Sequence, residues 1–596
     1  MSNKNKIELL FRKAHDLYMA GNLIQAKKNF KLILDIDSKN TNALTNHGTI
    51  DLQIGNIKNG INFLSKSLVL DSKQISAAVN LGNAFFQLKE FSQAIDYYDL
   101  CINLNPSIPM VYYNKAKALK ELKRFDESLQ CYKKTIDLDQ NYFLAYLDIC
   151  HLFNICEKYE AALKYAYQAI ELRPNSPEAQ FNLGITFKGY NSLDKALDSF
   201  NQAIKINPDY AESYLQIGMI HNSQGRLEDA LCALNQTIKF KPNLVEAYVI
   251  KGTFLANQNK FSEAVNELEK ALEIDSNSYE ATYLKSLIFL SLKKFHEAWE
   301  LYESRFSSNQ FKSIKTIYSI PRLSNFDIEN KSLLITAEQG IGDQILFGSL
   351  LNELPINNKY TVTLDSRLIN LFERSFKNIN FISSQSSIDE SSYDYQLPIG
   401  SLGKFFRRSI QDFEKQKTSY LFSDNFRSNK ISHDLKRQGK FICGIAWKSS
   451  NSVIGVKKSI ELESLLPILK LDNFIFVNLQ YGECQSEINQ IKSKYGVEII
   501  CLDEINNFYD IDGLASIISV CDVVITTSNV TPHISGSLGK VTFLMCPSRE
   551  AKIWYWHDDN KSIWYPKLQI INKPMDKNWT NVIDTVSNLL KEFYDR

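Results

Sequence analysis

Two short stretches combine residue types that can move a proton or hold a phosphate with small residues that let a ligand approach. The first is "AEQGIGDQILFGSLL", Ala337 to Leu351. It has the form of a strand end, a glycine turn carrying one acid, and a helix start, with Gly340 and Gly342 supplying backbone freedom and space. Asp343 then sits in the first helical turn, either as a simple N-terminal cap or as a carboxylate facing a cleft, where it can take a proton from a hydroxyl. The second is "TTSNVTPHISGSLGK", Thr526 to Lys540. Here Thr531 reads as the N-cap and Pro532 as the first helical residue. Free amides at that helix start, with Ser528, Asn529, Thr531 and His533 beside them, form a candidate diphosphate site, although a structural histidine and an ordinary capped loop fit the same residues.

A third loop, "GIAWKSS", and the later "GVKKSIEL" add Lys448, Lys457 and Lys458. These are either solvated basic positions or cations that neutralise a departing phosphate. No Asp-x-Asp pair follows a plausible strand, so no divalent metal is called for.

Turns of this kind need strands to carry them. Apolar runs on consecutive positions occur at 331–338, 359–365, 378–383, 441–447, 473–480, 497–503, 521–527, 540–546 and 568–572, separated by stretches of helical length. Strands apolar on both faces belong to a parallel sheet covered by helices, so this region is α/β. The charged stretch at 405–440 contains no strand and reads as a linker between two Rossmann-like halves, 325–425 and 440–596. A ligand is expected in the crevice at the carboxyl ends of the strands.

The preceding three hundred residues follow a different rule, a period of 34 that never slips. Counting from Ile7, Thr41, Ile75 and onward to Tyr279, the eighth position holds Ala14, Gly48, Gly82, Ala116, Cys150, Gly184, Gly218, Gly252 and Ser286, and the twentieth holds Ala26, Gly60 and otherwise Ala or Ser. Small residues twelve apart mark the close contact of two antiparallel helices, and Pro106, Pro174, Pro208 and Pro242 stop the second helix. This pattern resembles the tetratricopeptide repeat, with nine repeats over residues 7–312. Asn46, Asn80, Asn114 and Asn182 share the sixth position, on the inner helix face, where asparagines of that family can grip a ligand's backbone; solvation of the solenoid is the alternative.

Composition narrows the rest. The 596 residues carry 68 Lys plus Arg against 67 Asp plus Glu, which gives nucleic acid or an anionic membrane no general attraction. No apolar run has signal-peptide or membrane-spanning length, and ten cysteines without a CxxC pair suit reduced thiols in the cytoplasm.

Taken in order, the loops above together with "YDYQLPIGSL", "KKSIELESLLPIL", "VNLQYGE" and "IWYWHDDNKSIWYP" resemble the bacterial tetratricopeptide-repeat glycosyltransferases, whose catalytic part is related to the lipopolysaccharide heptosyltransferases. The resemblance spans about Lys331 to Lys573. It implies a GT-B arrangement, an acceptor on the first half, a nucleotide-diphosphate sugar as co-substrate on the second, and neither metal nor other cofactor. Asp343 matches the candidate base of the "GD" turn, His533 and its loop match the donor-diphosphate turn, and Lys458-Ser459 stands where relatives show Arg-Ser. Ser528 and Asn529 replace an Asp-Thr pair common in relatives, a departure that bears on the sugar, the nucleotide and activity itself. The implied acceptor is a protein, peptide or glycan hydroxyl recruited by the repeats. The alternative is an interaction scaffold whose GT-B part is catalytically silent.

Overall fold

The computed structural model describes residues 3–307, 318–326, 328–435, 439–451, 454–548, 551–574 and 578–595. The end of the expected repeat array, 308–312, lies outside them. Two compact units are present, Met1–Pro242 and Asn243–Arg596.

The first unit consists of helix hairpins from Asn3–Met19 and Leu23–Ile36 through Ala211–Ser223 and Leu227–Phe240. From Thr41 onward each first helix starts at the residue the 34-residue ruler marks: Thr41, Ile75, Pro109, Phe143, Pro177 and Ala211. Packing explains the small eighth position. A methyl group added to Gly82 would lie 2.5 Å from the ring of Tyr98, and one on Gly184 2.5 Å from the ring of Phe200. The eighth residue is small because the side chain at position 24 fills that space, an aromatic ring in these repeats and Leu64, Leu234 or Leu268 opposite Gly48, Gly218 and Gly252. Each hairpin turn closes through a left-handed residue at a fixed phase: Gly21, Gly55, Lys89, Lys123, Glu157, Asn191 and Gly225.

The asparagine row is more occupied than a ligand ladder requires. Asn46 donates to the Asn42 carbonyl oxygen (2.8 Å), Asn80 to Thr49 Oγ1 (2.7 Å) and Asn114 to Asn83 Oδ1 (3.0 Å). Two of these bonds tie one repeat to the next, so the side-chain donors at these three positions serve the array itself. Asn182 is half-buried on the same phase.

The second unit contains the last two hairpins, Val245–Asn257 with Phe261–Ile274 and Tyr279–Ser291 with Phe295–Tyr302, followed by two parallel sheets. The first sheet has strands β1 (Ser332–Thr336), β2 (Lys359–Leu364), β3 (Asn380–Ser383) and β4 (Tyr395–Pro398) in the order β3-β2-β1-β4. The second has β5 (Phe441–Ala446), β6 (Phe474–Asn478), β7 (Ile499–Ile500), β8 (Val523–Thr527), β9 (Val541–Cys546) and β10 (Leu568–Asn572) in the order β10-β9-β8-β5-β6-β7. All described pairings between named strands are parallel. In both sheets the first strand lies between the second and the fourth, which makes a topological switch point where the loops after β1 and β4, and after β5 and β8, diverge.

One buried apolar cluster runs through both sheets, from Leu333 and Leu350 to Ile534, Leu544, Trp554 and Trp564. Among its described residues, the segment expected as a linker is strand-free but not loose. Tyr420 donates its hydroxyl to the Ile345 carbonyl (2.7 Å) and its amide to the Ser537 carbonyl (2.9 Å), bridging the two helices that carry the candidate residues. No described helix is long and apolar enough to cross a membrane.

Candidate functional site

The two opening stretches meet. Asp343 lies in the helix Ile341–Gly348 after β1, and His533 in the helix Thr531–Ser537 after β8. Gly342 rests against the His533 imidazole so closely that a methyl at its Cα would lie 2.8 Å from Cδ2 and 3.0 Å from Nε2. Space, not backbone conformation, is therefore the demand at Gly342. Gly340 adopts an ordinary extended conformation (φ −82°, ψ 171°), and the left-handed residue of the turn is Gln339 (φ 61°), which corrects the expectation that the glycines supply unusual angles.

A cavity of about 340 Å³ opens between the turns. It is lined by Gly340, Gly342 and Asp343 on the first half and by Lys458, Ser528, Asn529 and His533 on the second. Beyond Tyr481, Asn507 and Phe508, which line it too, a larger cavity of about 850 Å³ continues among the loops after β6 and β7.

Electrostatics in this cleft are set by burial. The Asp343 carboxylate accepts the Gly340 amide (3.2 Å), so it does cap its helix while also lining the cavity. Its pKa is pushed up to about 6, chiefly by burial and further by Glu338, against the Gly340 amide and Lys458. Lys458 is 4% exposed and has no ion pair or hydrogen bond among the described residues. Burial lowers its pKa, and the charge of Asp343 opposes that shift. His533 is also buried, with Nδ1 2.9 Å from the Tyr565 hydroxyl and its ring among Tyr555, Trp556 and Tyr565. Burial, reinforced by Lys458, drives its pKa down to about 3, so it is a neutral imidazole at physiological pH. It shapes the cleft without supplying a cation.

The remaining expectations need sorting. Lys448 is not a cleft cation: its ammonium is bonded to Glu487, on the helix Gln485–Tyr495. Its carbonyl accepts from Asn529 Nδ2 (3.1 Å), which joins the loops after β5 and β8. Asn529 Oδ1 takes the Thr531 amide (2.8 Å), and the Val530 carbonyl takes those of His533 and Ile534. The helix begins after Val530, with Thr531 inside it, and the amides of Thr531, His533 and Ile534 are already spent, so these three do not line a phosphate site. Lys458 is the cation that lines the cavity on this side. Ser528 is 3% exposed and accepts the Trp556 indole N–H (3.1 Å).

Residues that sequence reasoning passed over also line the cleft: Arg367, Ser449, Ser450, Asn451 and Tyr555. Tyr555 is buried, and burial together with Asp343 holds its phenol protonated. Its signal was the aromatic run "IWYWHDD", which carries no chemistry until folded.

The turn before Asp343 is anchored by a buried ion pair. Arg305, after the last hairpin, donates Nε to Glu338 Oε2 and Nη2 to Oε1, both at 2.7 Å, and Glu338 Oε1 also accepts the Gly400 amide (2.6 Å). The fork fixes Glu338 two residues before Gly340.

Gly342→Ala is expected to cost about 1–3 kcal/mol through overpacking against His533. Thermal melts of Gly342→Ala, His533→Ala and the double variant check this: the double variant should cost less than the sum of the two single costs, because removing the ring relieves the overpacking.

Comparison with known proteins places the repeats. Sequence profiles described as tetratricopeptide repeat match residues 76–108, 109–142, 191–243 and 245–278. Protein FlbA of Caulobacter vibrioides is 28% identical over 316 residues, covering 50% of this chain and 52% of that protein. The chain thus spans about half the length of the curated relative it matches. Among solved structures, YrrB, a TPR protein with an unusual peptide-binding site, is 20% identical with a TM-score of 0.28, covering 31% of this chain and 95% of that one. A tetratricopeptide repeat protein from Parabacteroides merdae is 18% identical with a TM-score of 0.37, covering 42% and 99%. The repeats support a protein-interaction role.

Proposed function

We propose that the Asn243–Arg596 unit is a cytoplasmic, metal-independent glycosyltransferase of GT-B type, moving a sugar from a nucleotide-diphosphate sugar to a hydroxyl of an acceptor recruited by the repeats. The observation that carries this reading is one cavity lined by both a carboxylate with a raised pKa and the nearly buried Lys458, which has no hydrogen bond or ion pair among the described residues and mainly the field of Asp343 to offset its burial. An anionic ligand in that cavity supplies the ammonium with direct charged partners. The carboxylate suits a general base, because a pKa near 6 leaves it ionised at neutral pH and basic enough to accept a proton.

In this reading the diphosphate lies against Lys458, with Ser449, Ser450 and Asn451 beside it, and the nucleoside extends past Tyr481 and Phe508 into the larger cavity. The acceptor hydroxyl gives its proton to Asp343 as its oxygen bonds to the anomeric carbon. The bond from that carbon to the diphosphate oxygen breaks, and Lys458 stabilises the charge that leaves.

A second reading is favoured by Ser528. Its hydroxyl is buried and accepts the Trp556 indole N–H, so the position where relatives carry an acid offers the cleft no charge. A scaffold with a silent cleft fits that change. Melting the protein with UDP-, GDP-, ADP- and CMP-sugars, then assaying donor hydrolysis or transfer, separates the two. One donor that raises Tm and is turned over supports the enzyme; binding without turnover supports the scaffold.

A further inference from the structure

A second cavity, of about 690 Å³, lies on the other side of the Asp343 turn. One wall comes from the last two hairpins, with Phe261, Tyr283, Leu284, Leu287 and Ile288; the other is the turn itself and Trp554. It shares Gly340, Asp343 and Ile553 with the cleft, so the same carboxylate borders both spaces.

Two of the polar side chains on these walls are committed within the protein. Gln339 donates to the Tyr302 hydroxyl (2.8 Å), and the Lys552 ammonium donates to Asp558 and Asn572 (2.7 Å each). The rest of the lining is mostly apolar, Phe261, Leu284, Leu287, Ile288, Ile553 and Trp554, so an apolar side chain gains from burial there while most hydroxyls of a glycan would lack partners, at about 1–3 kcal/mol each.

We infer that this cavity is the acceptor subsite, and that the acceptor is a peptide segment whose reacting Ser or Thr is flanked by a large aliphatic or aromatic residue. That residue fills the space between the hairpins and Trp554 while the neighbouring hydroxyl reaches Asp343 at the boundary with the donor cleft. The inference rests on the transferase reading and adds the acceptor's chemical class to it. A peptide is favoured because tetratricopeptide helices build the wall: residues 245–278, which contribute Ala256, Asn257 and Phe261, are matched as one such repeat. In the transfer step the hydroxyl proton passes to the Asp343 carboxylate, the Ser or Thr oxygen bonds to the anomeric carbon, and the nucleoside diphosphate departs with the electron pair of the broken bond.

The test uses the full chain and fluorescent peptides that carry one Ser or Thr next to Leu, Phe, Ala or Glu, with binding read by anisotropy. Nucleotide-sugar stabilisation is read separately in melts of the same protein. Leu- and Phe-flanked peptides should bind about ten- to a hundred-fold tighter than the Ala-flanked one. Leu284→Glu should abolish that preference with its melting temperature held near the wild-type value, and Leu284→Met should retain it. A donor shift without peptide selectivity, or displacement of the peptides by farnesyl phosphate at lower concentration than by the Leu peptide, overturns the subsite and leaves the transferase reading standing. Peptide selectivity without any donor shift overturns the transferase reading and the acceptor role with it.

Discussion

Asp343→Asn should lower the proposed sugar transfer by about 10²- to 10⁴-fold, the usual contribution of a positioned general base, while donor binding persists. The amide keeps the shape of the carboxylate and still accepts the Gly340 N–H, so the helix start is retained and only proton acceptance is lost. In the wild-type protein kcat/KM for that transfer should rise with pH through about 6 and level off above it, because a base works ionised. Stability moves the opposite way. The folded pKa lies above the unfolded one, so the charged carboxylate costs stability above the unfolded value of about 3.9, by an amount that grows until pH passes the folded value and is constant beyond it. The Asn variant should therefore melt no lower than wild type at pH 8, with an advantage on the order of 1 kcal/mol after allowance for partial exposure, vanishing toward pH 4. An inert cap would leave turnover untouched, so the two readouts together distinguish a base from a structural aspartate.

Arg305→Met should destabilise the second unit by about 3–5 kcal/mol, since it strands the buried Glu338 carboxylate without its partner. Arg305 is fully buried and Glu338 is 5% exposed, and the pair is bidentate. Adding Glu338→Gln to Arg305→Met removes the stranded charge and should recover much of the loss, which thermal or urea melts of the three variants will show. Because Glu338 also holds the Gly400 amide and precedes Gln339 by one residue, the single variant should disturb the Asp343 turn as well and lower activity beyond its effect on folded fraction.

What could be read in advance follows from the range of the interactions involved. The 34-residue phase reports contacts between helices adjacent in sequence, so each first helix from Thr41 onward falls where the ruler puts it. The left-handed turn position was less visible, because Lys89, Lys123 and Glu157 occupy it without the glycine that advertises such a conformation. All nine apolar runs contain strands, most of them shortened, and the tenth, β4, was missed: "YQLP" is four residues long and ends in proline. Asp343 and His533 were legible as cleft residues because each lies in the first turn of a helix that follows a strand, which local pattern reveals, whereas Lys458 stood out only as part of a basic run after β5. Lys448 has the same local signature, yet Glu487, 39 residues away, takes its charge. Tyr555 and the Arg305–Glu338 pair depend on burial created by distant segments, and no window of sequence displays that.

The account stands on an anionic sugar donor occupying the crevice between the Asp343 and His533 turns, and titration calorimetry of the full chain tests it most directly. UDP-, GDP-, ADP- and CMP-sugars are titrated into wild type and Lys458→Met, a variant that preserves the apolar stem and deletes the charge. At least one donor should bind the wild type, with affinity falling about ten-fold or more in the variant, as expected when a charged hydrogen bond worth about 1.5–3 kcal/mol is lost. Binding of none of the four, or binding indifferent to Lys458, contradicts it.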